Sequence, residues 1–145
     1  VSNHKSISES ININASPERI WQVLTDRNEM QNWMGEEDLD LNVNTNWEEG
    51  TPIEITGFHH ERFVNNGIIL KSNRPYELSY THRSSISNLP DVPASYCIFE
   101  FLIQPLESTT KLQLSIHQFP TETIFLHLQL YWKSTLKIIK EQAEK

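Results

Sequence analysis

The sequence predicts an α+β fold. A curved antiparallel sheet of about seven strands wraps around one long C-terminal helix, and two short helices follow the first strand. Three observations carry this reading. A period-two strand pattern runs straight into a capped, proline-started helix between Ile11 and Asp26. Strand-like alternation broken by short turns then fills residues 39–118. A long amphipathic stripe closes the chain.

The elements follow in order. Ser6 to Ile13 alternates, with Ile7, Ile11 and Ile13 on one face and polar residues on the other, the pattern of a half-buried strand. Ser16 is a good N-cap, and Pro17 suits the first helical position because the N–H it lacks would be unpaired there. Ile20, Val23 and Leu24 follow at helical spacing beside Trp21. The capping box is incomplete, because Arg19 stands where Glu or Gln would close it. Asp26 can cap a second short helix to about Trp33, carrying Met30, Trp33 and Met34 on one side. Gly35 and the acidic run Glu36-Glu37-Asp38 end it.

Leu39, Leu41 and Val43 begin the strand region. Glu49-Gly50-Thr51-Pro52 reads as a turn, Ile53 and Ile55 alternate with Glu54 and Thr56, and Gly57 marks a candidate bulge. His59 to Phe63 continues as strand. Asn65-Asn66-Gly67 signals a bulge or tight bend before Ile68-Ile69-Leu70. After a turn at Arg74-Pro75, Tyr76, Leu78, Tyr80 and His82 share a face. Ser84 to Ala94 is the longest irregular segment. Cys97, Phe99, Phe101 and Ile103 alternate with Tyr96, Ile98, Glu100 and Leu102, and Leu112, Leu114 and Ile116 with Lys111, Gln113 and Ser115, across a hairpin turn at Glu107-Ser108-Thr109.

Thr121 is the N-cap of a helix running to about Ala143. Its stripe is Phe125, Leu128, Trp132, Leu136 and Ile139, widened by Ile124, Tyr131 and Ile138. Leu126 and Leu130 fall off this stripe. Either the Ser84 to Ala94 loop covers them or they are buried in a homodimer. Consecutive strands with short turns imply an antiparallel meander, which must curl around the long helix to bury both apolar faces.

Composition limits the function. A length of 145 residues favours a single domain over residues 1–145. Lys and Arg number 12 against 19 Asp and Glu, a formal charge of -7, so the cationic term that dominates nucleic-acid affinity is missing. Binding to nucleic acid or to anionic membranes is not expected, and no stretch approaches the ~18 apolar residues of a membrane helix. Cys97 is the only cysteine, which excludes an internal disulfide and fits a reducing, cytoplasmic setting.

The segments "ASPERIWQVLTD" with "MQNWMG", "NNGIILKSNRPYELSYTH" and "LQLYWKSTLKIIKEQAE" together resemble the START/Bet v 1-like (SRPBCC) superfamily. Within it the chain is most similar to Activator of Hsp90 ATPase homologue 1-like proteins, over nearly its whole length. The matching points are Ser16-Pro17, Trp21, Trp33, the block from Gly67 to Tyr80, and Trp132 with Leu136. The resemblance implies a helix-grip fold with a cavity between sheet and long helix. Two regions depart from it: Glu48-Glu49-Gly50 stands where paired glycines are common, and Ser84 to Ala94 matches no family motif.

No nucleophile, phosphate-loop, dinucleotide or zinc-protease motif is present. His59 and His60 are neighbours on a strand and face opposite ways. His60 and His82 could share a cavity, but two ligands without a convergent carboxylate make a thin metal site. Neither a metal nor another cofactor is expected. The acidic run with Asp40 reads as a solvated loop, and Cys97 as a small core residue.

The candidate ligand-binding residues are Trp33, His60, Tyr80, His82, Phe99, Phe101, Tyr131 and Trp132, with no catalytic residue assigned. Phe99 and Trp132 fit plain core as well as ligand lining. Glu100 belongs to the site only if its strand face turns inward; otherwise it is solvated. The leading expectation is a module binding a small apolar or amphipathic molecule, since such cavities orient ligands with a few polar groups on apolar walls. A cyclase, aromatase or hydrolase kind of enzyme is the alternative, with His60, His82 or Glu100 as acid or base. The family resemblance also implies a co-chaperone in the stress response, stimulating a chaperone ATPase.

Overall fold

The computed structural model describes residues 5–34, 40–59 and 61–145. The chain runs β1 (Ser6–Ile13), α1 (Pro17–Thr25), α2 (Arg27–Met34), β2 (Asn42–Asn44), β3 (Pro52–His59), β4 (Glu61–Asn73), β5 (Glu77–Ser84), β6 (Cys97–Pro105), β7 (Thr110–His117) and α3 (Glu122–Ala143). The strands form one seven-stranded antiparallel sheet in the order β1-β7-β6-β5-β4-β3-β2. Each strand from β2 onward pairs with its successor, and β1 closes the series against β7.

The helix starts are set by side chains. Ser16 accepts from the Arg19 N–H at 3.1 Å, and Asp26 Oδ1 accepts from the N–H groups of Asn28 and Glu29, so the joint between α1 and α2 falls at Asp26. Thr121 caps α3 by accepting from the Ile124 N–H at 3.1 Å. Helix α3 lies along β1. Lys5 bonds Glu122 at one end, and at the other Glu144 accepts from the Asn14 N–H at 2.7 Å, a bond that, with Lys140, holds its carboxyl below the usual range. The buried stripe of α3 includes Leu128, Trp132, Leu136 and Ile139, while Ile138 is exposed.

The missing capping-box residue has a physical explanation. The Arg19 guanidinium leaves its own helix to bond the carbonyls of Gln142 (3.0 Å) and Ala143 (3.4 Å) at the C-terminal end of α3. It also bonds Glu29 Oε2 at 2.6 Å, and Gln142 Nε2 returns to Glu29 Oε1 at 2.6 Å. One cation thus ties α1, α2 and the carbonyl end of α3, where positive charge is favoured. Arg19→Ala is expected to cost about 1–3 kcal/mol by leaving half-buried acceptors unpaired. Urea unfolding measures it, and Arg19→Lys should recover only part, lacking the fork.

Three expectations are corrected. First, Asn65-Asn66-Gly67 is no bend: β4 runs straight through it, and the β3–β4 reversal falls between His59 and Glu61. Gly67 is required for close approach instead. A Cβ there would stand 1.8 Å from the Thr81 carbonyl oxygen. Second, Gly57 pairs regularly with Phe63, and the bulge lies between Ile69 and Lys71. Third, the Ser84 to Ala94 segment does not cover Leu126 and Leu130, which are 51% and 75% exposed. Two 3₁₀ turns shape it, and Arg83 and Tyr96 fasten it through Leu89 O (3.2 Å) and Asp91 (2.5 Å). In addition, Tyr76 precedes β5 and is exposed, so the shared face begins at Leu78.

Candidate functional site

The concave face of the sheet follows from strand alternation. On β5 it carries Leu78, Tyr80, His82 and Ser84, and on β6 Cys97, Phe99, Phe101 and Ile103. Across the two strands Tyr80 is opposite Phe99 and His82 opposite Cys97. Paired residues on neighbouring strands project to the same side, so these rings meet. Tyr80 stacks on Phe99 with centroids 5.6 Å apart and lies 6.2 Å from Phe101. The His82 ring lies 5.0 Å from Phe99.

Trp132 of α3 descends onto this face. Its ring sits 5.8 Å from both Phe99 and Phe101, 5.7 Å from Trp33 of α2 and 5.4 Å from Tyr131. Trp33 is fixed by donating its indole N–H to Val23 O at 2.7 Å, and the Tyr131 hydroxyl reaches Met34 O at 3.5 Å. The structure therefore brings Trp33, Tyr80, His82, Phe99, Phe101, Tyr131 and Trp132 into one connected cluster. His60 lies outside the described residues, as does Glu36-Glu37-Asp38. Glu100 points to the convex face, where its carboxylate is 3.4 Å from His117 Nδ1, so it is solvated.

Two residues that the sequence did not single out join the site. Trp47, on the β2–β3 connection, lays its ring 6.5 Å from Tyr80 with a backbone φ of +59°, a region that bulky residues rarely occupy. Asn65 sits on β4 between inward-facing Phe63 and Ile69, opposite Ile55 and Ser84. Its Oδ1 is buried without a hydrogen-bond partner. Asn65 was hidden inside an apparent turn signal. Continuing the Phe63–Ile69 alternation through it would have exposed it.

The site is uncharged in character. Burial lowers the His82 pKa from 6.5 to about 4, raises the Cys97 thiol to about 12, and raises both Tyr80 and Tyr131. Cys97 is thus a protonated core thiol, 2% exposed, rather than a nucleophile. Among the described residues no group of three or more His, Cys, Asp or Glu could hold a metal ion.

The His82 shift has a sign that can be tested. A histidine with a lowered folded pKa stabilises the fold while neutral. That contribution is complete above pH 6.5 and is lost as pH falls toward about 4. Unfolding free energy is expected to drop by roughly 2–3 kcal/mol across this window. His82→Phe should flatten the slope, and equal slopes in both proteins would remove His82 as its source.

Two open depressions lie elsewhere. One of about 540 Å³ borders Arg19, Glu29 and Gln142, whose polar groups are committed to each other. The other, about 330 Å³, lies on the convex face beside Leu70, Glu77, Ile98 and Leu102. Of the clustered residues, Phe101 alone borders one of them, the convex-face depression.

A profile of the family described as "Activator of Hsp90 ATPase homolog 1-like protein" matches residues 14–144. Several solved structures share the fold. A Cytophaga hutchinsonii protein is 23% identical, with 97% of this chain and 94% of that one covered at a TM-score of 0.80. A Chromobacterium violaceum protein is 19% identical, with 97% of each chain covered at 0.81. The solution structure of an Aha1 dimer from Colwellia psychrerythraea is 20% identical, with 97% and 96% covered at 0.75. A comparison with curated protein sequences finds no match. At these identities the likeness establishes the helix-grip fold and nothing finer. No described helix is long and apolar enough to cross a membrane.

Proposed function

Because the chain belongs to the Activator of Hsp90 ATPase homologue 1-like family, with its helix-grip architecture, we propose that it binds a small apolar or amphipathic molecule between sheet and α3. The observation that carries this reading is the mixed character of the concave face. Aromatic rings share that face with uncharged polar groups, the neutral His82 ring against Phe99 and, on β4, the unpartnered Asn65 Oδ1. A buried acceptor without a donor is costly in a core and useful in a binding site. The ligand lies toward the His82 and Asn65 end, because Trp132 fills the middle of the grip. Native mass spectrometry of protein recovered from a cell extract tests this. A retained small molecule is expected, and its loss in Tyr80→Ala would tie it to the site. Protein that recovers nothing from extract and binds no apolar probe would end the reading.

An enzyme draws less support. Glu100 faces away, and a histidine of pKa about 4 is a weak base at neutral pH. A co-chaperone role rests on the family name alone, and one fold hosts many functions. A homodimer through Leu126 and Leu130 has a specific observation in its favour, the exposure of both leucines on one side of α3. Sedimentation should find wild type dimeric and Leu130→Glu monomeric. A monomeric wild type ends the dimer.

A further inference from the structure

The polar end of the concave face has a chemistry narrower than "apolar ligand". Asn65 and Ser84 are opposite each other on β4 and β5, and His82 and Cys97 are opposite each other on β5 and β6. Asn65 and His82 are therefore diagonal neighbours on one face, about 7–8 Å apart by strand geometry. Asn65 Oδ1 is a hydrogen-bond acceptor with both lone pairs unused, shut away from solvent.

The charges around it are equally telling. Among the described residues, no lysine or arginine shares the concave face of β4, β5 or β6. Arg83, which stands between His82 and Ser84 in sequence, projects to the other side. There it lies over the Tyr96 ring at 5.9 Å and beside Asp91 at 3.8 Å. A ligand carboxylate placed against Asn65 would find neutral N–H donors at best and no counter-ion, so much of the cost of burying its charge would stand. A plain hydrocarbon would leave Oδ1 as unpaired as before. A hydroxyl, phenol or amide N–H satisfies it, and the neutral imidazole beside it offers one further donor and one acceptor.

We infer that Asn65, with Ser84 and His82 beside it, anchors the ligand through a neutral hydrogen-bond donor, so that the protein selects uncharged hydroxyl- or amide-bearing apolar molecules over carboxylates and over hydrocarbons. This rests on the ligand-binding reading and adds to it the polarity of the ligand's anchoring group.

Three probes of one shape test the anchor: 4-propylphenol, 4-propylbenzoate and propylbenzene. Each is titrated into the ¹⁵N-labelled full chain at neutral pH, following the Trp132 indole and His82 backbone signals. The phenol is expected to bind about five- to tenfold tighter than propylbenzene, the worth of one neutral hydrogen bond, and the benzoate weakest of the three. In Asn65→Leu the phenol should fall to the affinity of propylbenzene, with propylbenzene unchanged. That variant removes an unpartnered acceptor and is expected to fold, while the comparison within wild type stands without it. Propylbenzene or benzoate binding as tightly as the phenol overturns the anchor and leaves the ligand-binding reading standing. A phenol preference that survives Asn65→Leu also overturns it. No probe shifting the Trp132 or His82 signals overturns the anchor and the ligand-binding reading together.

Discussion

Trp132→Ala is expected to lower the unfolding free energy by about 3–5 kcal/mol, the range for deleting a large buried aromatic side chain. The indole is 4% exposed and meets four other rings within 5.4 to 5.8 Å: Trp33, Phe99, Phe101 and Tyr131. These come from α2, β6 and α3, elements that cannot all move inward to fill the space. Edge-to-face contacts with Phe99 and Phe101 add to the area term. The experiment also separates the two roles open to this residue. A tryptophan that merely borders a roomy cavity has few atoms behind it, and its removal costs little. A tryptophan that forms the centre of the core leaves a hole. Equilibrium urea unfolding of wild type and Trp132→Ala gives the number. A loss under about 1.5 kcal/mol would mean that ligand space extends to the middle of the grip and is not confined to the Asn65 end.

The parts of the fold that were legible in the sequence are those where burial alternates strictly. On β7 Leu112, Leu114 and Ile116 are buried while Lys111, Gln113 and Ser115 are half-buried, and β6 repeats the pattern with Phe99, Phe101 and Ile103. There the side-chain period of the strand dictates which residue meets the helix. The helix starts were equally legible, because capping is local chemistry. What escaped is what depends on distant chain. Arg19 looked like a failed cap and is a tie to a helix end more than a hundred residues later, at Gln142 and Ala143. Asn65 looked like turn chemistry and is an inward strand residue. Trp47 lay in a polar stretch with no periodicity, and only the folded β2–β3 connection brings it to Tyr80. The aromatic half of the site could be read from alternation. Its polar anchor could not, since Asn-Asn-Gly is a strong local signal for a bend that tertiary contact overrides.

Gly67→Ala should be the most disruptive single-methyl change in the sheet. The added Cβ would fall 1.8 Å from the Thr81 carbonyl oxygen and 2.5 Å from its carbon, both backbone atoms of the neighbouring strand. No rotamer change relieves such a clash, so β4 and β5 must separate. The ladder here is already adapted to the close approach: the Ile68 N–H bonds Thr81 Oγ1 at 2.9 Å instead of a backbone carbonyl. A cost above about 3 kcal/mol is expected, beyond ordinary overpacking because backbone has to move. Gly50→Ala supplies the contrast. Gly50 has a φ of +85° but nothing within 4 Å of its would-be Cβ, so only backbone strain of about 1–2 kcal/mol applies. The site should respond with the fold. Gly67 lies two residues from Asn65, and Thr81 adjoins both Tyr80 and His82, so separating these strands moves the acceptor away from the imidazole. Any folded fraction of Gly67→Ala should therefore lose the preference for 4-propylphenol over propylbenzene, while Gly50→Ala keeps it. A Gly67→Ala protein as stable as Gly50→Ala, with the phenol preference intact, would mean that β5 does not crowd Gly67 and that the geometry of the anchor is set elsewhere.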